Sequence, residues 1–198
     1  MRGIVWAGAV FEWWSDSRGE LWDNSLTFEL GTFGAEFRPD TSNLVDWAAN
    51  WKTLDVSSYN AEYGYFASAF RLEHDYTSSG AGTVPGVFFD VGEQVYVWVY
   101  QGGRELTATP DEWALIRNDA WRVPETGDPI ALTMTWGMSF EEQDAVLGAP
   151  GETAEVMLDP AVAYLDVRQQ MTAQPVPEPG GGVLVLLSLL TLSAVRRR

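Results

Sequence analysis

The sequence predicts a mainly β domain: an antiparallel β-sandwich of jelly-roll kind, with one or two short helices and an apolar helix at the C-terminus. Three observations carry that expectation. Short apolar or alternating runs recur between clusters of Gly, Pro, Asn, Asp and Ser, which is how strands and their turns read. The chain holds 10 Trp, 9 Phe and 7 Tyr, residue types that suit a pleated surface. Its hydrophobic fraction of 46% argues for a packed core in spite of a net charge of −16. Many short strands with few helical turns pack as sandwiches or barrels. Residues 10–167 are enough for one such domain.

Taken in order, residues 11–14 (Phe-Glu-Trp-Trp) read as a short strand and residues 16–20 as a turn. Residues 26–33 alternate, with Leu26, Phe28 and Leu30 on one face and Thr27 and Glu29 on the other. That is the pattern of a half-buried strand. A loop follows over 34–41. Asn43 is placed to cap a helix running to Trp51, with Trp47 and Trp51 one turn apart on one side. Residues 64–72 give another strand and 78–82 a Ser- and Gly-rich turn.

The sharpest local signal is a hairpin. Residues 87–91 and 94–100 flank Gly92-Glu93, and Gly in the first turn position suits a type II′ connection. The second strand is apolar on both faces, with Tyr96, Trp98 and Tyr100 on one and Val95, Val97 and Val99 on the other. Such a strand belongs in the middle of a sheet covered on both sides. An exposed aromatic face stacking on sugar rings is the competing reading. Thr109, Pro110 and Glu112 spell cap, first position and capping box for a helix to about residue 119. A strand over 129–136, a helical turn over 139–147 and strands at 156–158 and 163–167 complete the domain. Residues 168–182 form a polar linker rich in Pro and Gly.

Composition narrows the chemistry. Cysteine is absent, which excludes disulfides, thiolate metal sites and cysteine catalysis. The acidic balance repels phosphate backbones and argues against nucleic acid. A Ser-His-Asp triad would need His74, the single histidine, and no Gly-x-Ser-x-Gly elbow is present; a surface histidine beside a carboxylate is the plainer reading. Glu141, Glu142 and Asp144 are the densest acidic cluster. Neighbours in sequence rarely face each other across a cleft as a glycosidase pair must. Calcium is the cofactor to consider, with Asp16, Glu20 and Asp23 crowding one loop beside Asn24, and Asp40, Asn43 and Asp46 another. Neither matches an EF-hand loop, and a solvated acidic surface is the alternative.

The tail says where the protein goes. Residues 183–195 carry no charge, and Arg196, Arg197 and Arg198 end the chain. As a helix, those 13 residues span roughly 20 Å, short of a bilayer core of about 30 Å. Arginines at the end can snorkel to the headgroups and stay on the cytoplasmic side, which puts the domain on the far side. The order Pro177-Glu178-Pro179, apolar segment, basic cluster resembles a PEP-CTERM sorting signal. That resemblance covers residues 175–198. It implies export, initial membrane retention through the C-terminal helix, and recognition by an exosortase, a membrane transpeptidase-like enzyme. It also implies a bacterium that makes exopolysaccharide and grows in biofilms or flocs. Export in turn asks for a signal peptide. Residues 7–9 (Ala-Gly-Ala) suit cleavage, but the apolar run before them is only Ile4-Val5-Trp6. Residues 1–9 are accordingly read as a signal-peptide remnant; the alternative makes residues 4–14 the first strand.

The function expected from these readings is a structural or adhesive role at the cell surface or in the extracellular matrix, not an enzyme. A carbohydrate-binding module using exposed aromatics such as Trp98 or Trp47 is the first alternative, and a polysaccharide hydrolase is the second.

Overall fold

A computed structural model of the chain describes residues 1–8, 12–104, 112–126, 134–138, 144–159, 162–170 and 172–173, with side chains up to residue 148 except at 138 and 144. In chain order the elements are β1 (Arg2–Gly8), β2 (Glu12–Ser15), β3 (Leu26–Thr32), α1 (Leu44–Asn50), β4 (Lys52–Ser58), β5 (Ala67–Leu72), β6 (Ser78–Ser79), β7 (Gln94–Gln101), β8 (Glu112–Arg122), β9 (Met134–Met138), β10 (Asp144–Leu147), β11 (Ala149–Asp159), β12 (Val162–Gln170) and β13 (Thr172–Ala173). The fold is mainly β. Four strands form one sheet in the order β6-β5-β1-β9. Six form the second, β10-β8-β7-β3-β4, with β13 added beside β8. A third sheet runs β11-β12-β2. Most pairs are antiparallel, but β1 with β9 and β12 with β2 are parallel. The expectation of a purely antiparallel arrangement is corrected by those two pairs.

The six-stranded sheet is covered on both faces, and β7 and β8 show why. Along β7, Val95, Val97 and Val99 point into one core; they meet Ile4 and Trp6 of β1, Phe70 of β5 and Trp136 of β9. Tyr96 and Trp98 point the other way, into a second cluster with Phe33, Trp47, Trp51 and Trp113. The helix α1 lies over that second face, with Trp47 fully buried. Asn43 precedes α1 but does not cap it with its side chain. Its Oδ1 accepts from the Asp40 amide and from Trp47 Nε1, and its Nδ2 donates to the Arg38 carbonyl.

Several local expectations meet a different structure. Within the stretch read as a signal-peptide remnant, Arg2–Gly8 is strand β1, in register with β5 from Arg2↔Leu72 to Ala7↔Ala67. Trp6 is fully buried and donates its indole N–H to Asp55 of β4 at 2.8 Å. The alternative that makes residues 4–14 one first strand is met in part: residues 4–8 belong to β1, whereas residues 12–14 belong to β2 of the third sheet. The hairpin at Gly92 does not form either. Both edges of β7 are taken, by β3 and β8, so residues 87–91 find no strand to join. They form a loop in which Phe88 and Val91 are exposed and Phe89 is buried. Gly92, at φ 83°, instead turns the chain so that its amide reaches the Val123 carbonyl.

The helix expected at 109–119 is strand β8 from Glu112 onward; its cap residues Thr109 and Pro110 lie outside the described residues. Trp113 and Leu115 enter one core and Ala114 and Ile116 the other. A four-residue apolar run fits a buried helix or a strand covered on both faces, and only the sheet decides. Glu112 accepts from the Ser17 amide and hydroxyl instead of closing a capping box. The helical turn expected to end at Leu147 is strand β10 over its described part, and the linker start at 168–170 and 172–173 is strand. The rest of the linker and the C-terminal segment lie outside the described residues. Among the described residues no helix is long and apolar enough to cross a membrane.

Gly31 sits where β3 and β4 shift register. A Cβ there would collide with the Lys52 carbonyl and come within 2.6 Å of the Trp51 ring. Backbone cannot step aside as a side-chain tip can. Gly31→Ala is expected to destabilise the domain by about 1–3 kcal/mol, the usual range for overpacking. A denaturant midpoint unchanged from wild type would show that β3 and β4 are less tightly apposed.

Candidate functional site

Two polar constellations stand on the helix-covered side of the six-stranded sheet. The first is centred on Glu29 of β3. Its position in the alternation predicts solvent, but β3 is flanked on both sides and Glu29 is 3% exposed. Its carboxylate accepts from Trp51 Nε1 at 2.8 Å, from the Tyr100 hydroxyl at 2.7 Å, from Arg104 Nη1 at 3.2 Å, and from Thr53 Oγ1. Four donors from three segments close on one carboxylate, which satisfies it as a buried acceptor must be. Burial, and next the hydrogen bond to Glu29, pushes the Tyr100 phenol well above its usual value. This arrangement binds strands together; it presents no open face to a ligand.

The second constellation is a groove of about 660 Å³ between the loop after β3 and the β7–β8 edge. Arg38, Arg117 and Arg122 line it, with Tyr96 and Phe37 as its aromatic members and Asp90 and Asp119 among its acids. A bulge builds its cationic wall. Gln94 pairs with Arg122 and Tyr96 with Arg117, so two residues of β7 oppose five positions of β8. The extra residues are held by Gln94, whose Nε2 donates to the carbonyls of Asn118 at 2.8 Å and Trp121 at 3.0 Å. Asn118 Oδ1 accepts from the Ala120 amide. Bulges of this kind re-aim side chains and cluster near functional sites. Here the bulge sets two arginines against neighbouring residues of β7. Arg122 is anchored by its Nε on the Asp119 carbonyl and its Nη1 on the Gly92 carbonyl. Tyr96 is pushed up by burial, against the opposing pull of Arg117, Arg122 and Arg38. At the back of the groove Glu93 is 6% exposed and paired to Lys52 Nζ at 2.7 Å, and it accepts from Thr32 Oγ1.

The residues singled out by sequence fall elsewhere. Asp16 is buried and committed to its own loop: its oxygens accept from the amides of Arg18 and Glu20, and Arg18 pairs with it at 2.7 Å. Burial raises its carboxyl, and the Glu20 amide and Arg18 bonds outweigh that, leaving it below the usual range. Glu20 and Asp23 are exposed, and Asp23 accepts from the Ser25 amide. Asp40 bonds to the Ser42 amide and hydroxyl. Among the described residues no three acidic or histidine side chains gather as a metal would require. His74 is exposed, and the Met1 amino group approaches its Nε2 at 2.9 Å; the neighbouring Asp75 turns to Thr77 instead. Trp98 and Trp47, two aromatics considered for stacking on sugars, are both fully buried, so neither offers a stacking face. Glu141, Glu142, Pro177, Glu178, Pro179, Arg196, Arg197 and Arg198 lie outside the described residues.

Sequence reasoning missed both constellations. Alternation places Glu29 on a wet face, and nothing local announces that the sheet is covered twice. The scarcity of cations was the one available signal for the groove. With 12 Lys and Arg in the chain and three in the tail, nine remain for the domain; three of nine in one groove is a concentration. No family model, curated protein or solved structure matches the chain.

Proposed function

We propose that the chain is an exported, surface-sorted bacterial protein whose domain has a structural or adhesive role in the extracellular matrix. The observation that carries this reading is the order of the tail: Pro177-Glu178-Pro179, an uncharged segment over 183–195, then Arg196, Arg197 and Arg198. In this reading an exosortase-type enzyme processes the tail, and the apolar segment holds the chain in the membrane until it does. The domain is a sandwich of jelly-roll kind, a reading supported by the hydrophobic cluster shared between the four- and six-stranded sheets. A non-catalytic role is supported by the way three of the five acids buried among the described residues are spent. Glu29, Asp16 and Glu93 each bind donors of the fold itself, and a general acid or base needs a face open to substrate.

The apolar segment is short, so hydrophobicity alone retains it weakly. Sorting then depends on the tripeptide and on the arginines. Replacing Pro177, Glu178 and Pro179 with alanine is expected to leave membrane insertion intact and to block trimming, so that the uncut precursor accumulates. Neutralising Arg196, Arg197 and Arg198 is expected to let the chain slip through or mis-orient. Mass measurement on envelope and medium fractions, from a host with the processing enzyme, reads both. A wild-type chain that always keeps Arg198, or an alanine variant still trimmed near residue 180, would reduce the tail to an ordinary anchor.

A further inference from the structure

Strand β4 ends the six-stranded sheet. The Tyr59 amide donates to the Leu26 carbonyl at 3.3 Å, and the β3–β4 register continues through Thr27↔Ser58 and Phe28↔Ser57 to Glu29↔Val56. Antiparallel pairs alternate between bonded and non-bonded positions, so the amide and carbonyl of Val56 face away from β3. Residues 80–87 lie against them. This strap is fastened at one end by β6, where Ser79 pairs with Arg71. At the other end it is held by the Thr77↔Phe88 bridge and the buried Phe89 ring. A Cβ on Gly82 would collide with the Val56 carbonyl and come within 2.7 Å of its amide. Lys52 Nζ reaches the Phe88 carbonyl at 3.0 Å, so the strap follows β4 from Val56 back toward Lys52. Among the described residues, no backbone hydrogen bond joins it to β4. Thr83 Oγ1 turns back to the Gly80 carbonyl, and Gly86 sits at φ 79°. Pro85 has no N–H to give.

We propose that residues 80–87 guard the edge of β4, and that their displacement opens this edge to the β4 of a second copy of the chain. An uncovered edge strand is a template for another chain, and a covering loop or a proline is how such edges are blunted. The cover here is loosely kept. When closed it lies on Asp55 as well, whose Oδ1 is 2.5 Å from the same Gly82 Cβ position. Asp55 is fully buried, and that oxygen has no hydrogen-bond partner among the described residues. An unmet buried acceptor costs stability, and opening the strap returns it to water. Ala81, Val84, Pro85 and Gly86 are already exposed, so opening gives up little buried apolar surface. The partner follows from the symmetry of the edge. Val56 offers one donor and one acceptor, so two copies related by a twofold axis at Val56 exchange both bonds. That register sets Asp55 opposite Ser57 and Leu54 opposite Ser58, with no like charges face to face across the pair.

Sedimentation velocity on the purified full chain in detergent tests this, at physiological ionic strength to screen the net charge of −16. Wild type is expected to be monomeric. Gly82→Val, whose side chain cannot fit against Val56, is expected to form a concentration-dependent dimer, associating at least about tenfold more tightly than wild type. A short Gly-Ser insertion after Pro85 slackens the strap without adding bulk and should act in the same way, which covers the case in which Gly82→Val fails to fold. Val56→Pro, added to either variant, should return the monomer, because it deletes the outward N–H and spares the bonds to β3. The tail is present in every variant, so any association of its own cancels. Hydrogen exchange gives a second reading: pairing protects the Val56 amide in the opened variants, whereas unfolding exposes every amide of β4. A wild-type dimer that already protects Val56 overturns the proposal. So do opened variants that fold and stay monomeric, a dimer that survives Val56→Pro, or unfolding of both opened variants, which would make the strap part of the core.

Discussion

Trp98→Ala is expected to cost about 3–5 kcal/mol of stability, the range for emptying a buried aromatic site. Trp98 is fully buried at the middle of β7. Its ring lies 4.9 Å from Trp113, 5.4 Å from Trp51 and 5.6 Å from Trp47, each at near right angles. Edge-to-face pairs of this kind add stability beyond the area they bury. Three neighbours come from different elements, β8, the residue that ends α1, and α1 itself, so none can move into the gap without dragging backbone. A site that cannot collapse keeps its cavity, and the cost sits toward the top of the range. The loss is a large share of a total stability of about 5–15 kcal/mol. Trp98→Phe provides the control. The Trp98 indole N–H has no hydrogen-bond partner among the described residues, so the smaller ring also removes an unsatisfied donor. That variant should lose less, about 1–2 kcal/mol. Denaturant melts at constant slope read both values. Equal losses for Ala and Phe would mean that the aromatic contacts add little and the cluster packs loosely.

That cluster also shows how far the sequence could be read. The double-sided apolar run of β7 announced a central strand, and β7 is central, because no other placement hides Val95, Val97 and Val99 together with Tyr96 and Trp98. The same logic was available for Trp113, Ala114, Leu115 and Ile116, but the capping signature of Thr109 and Glu112 spoke for a helix. Local propensity there is a fraction of a kcal/mol per residue, whereas a place between β7 and β10 buries four apolar side chains. Tertiary packing wins by magnitude. The hairpin at Gly92 failed for a complementary reason: turn chemistry was right for the bend, but partners for β7 came from residues about 70 positions before and 20 after. The site was less legible than the fold. Arg117 and Arg122 have opposite parity on an ideal strand, and only the bulge held by Gln94 brings them to one groove. Glu29 looked solvated because alternation reports one face of a strand and not what covers it.

Glu29→Leu is expected to cost about 3–5 kcal/mol, because it leaves buried donors with no acceptor. Trp51 Nε1, Thr53 Oγ1 and the Tyr100 hydroxyl all point at the lost carboxylate. Trp51 and Thr53 are buried, so their donors have little access to water, and Tyr100 is half-buried. Arg104 adds less to the loss. Its side chain is 35% exposed, so it can turn outward, and Arg104→Ala is expected to cost about 1 kcal/mol or less, as for a partly solvated pair. Glu29→Gln keeps the shape but sets an amide N–H against donors, and it removes the charge from every bond that remains. It should fall between, at about 2–3 kcal/mol. A pH profile separates the charge from the packing. Tyr100 is raised in the folded chain by burial and then by Glu29. A group raised on folding contributes stability that is whole below its unfolded value, about 10, and that is lost as pH climbs through the folded value. Wild type should therefore weaken steadily above about pH 10. Tyr59, pushed up to about 12 chiefly by burial, contributes to the same decline in both proteins. In Glu29→Gln the Tyr100 part shrinks, so the gap between variant and wild type narrows as pH rises from about 10. Tyrosinate absorbance and denaturant melts across that range measure it. A gap that stays constant from pH 7 to 12 would mean that Glu29 holds Tyr100 by shape alone.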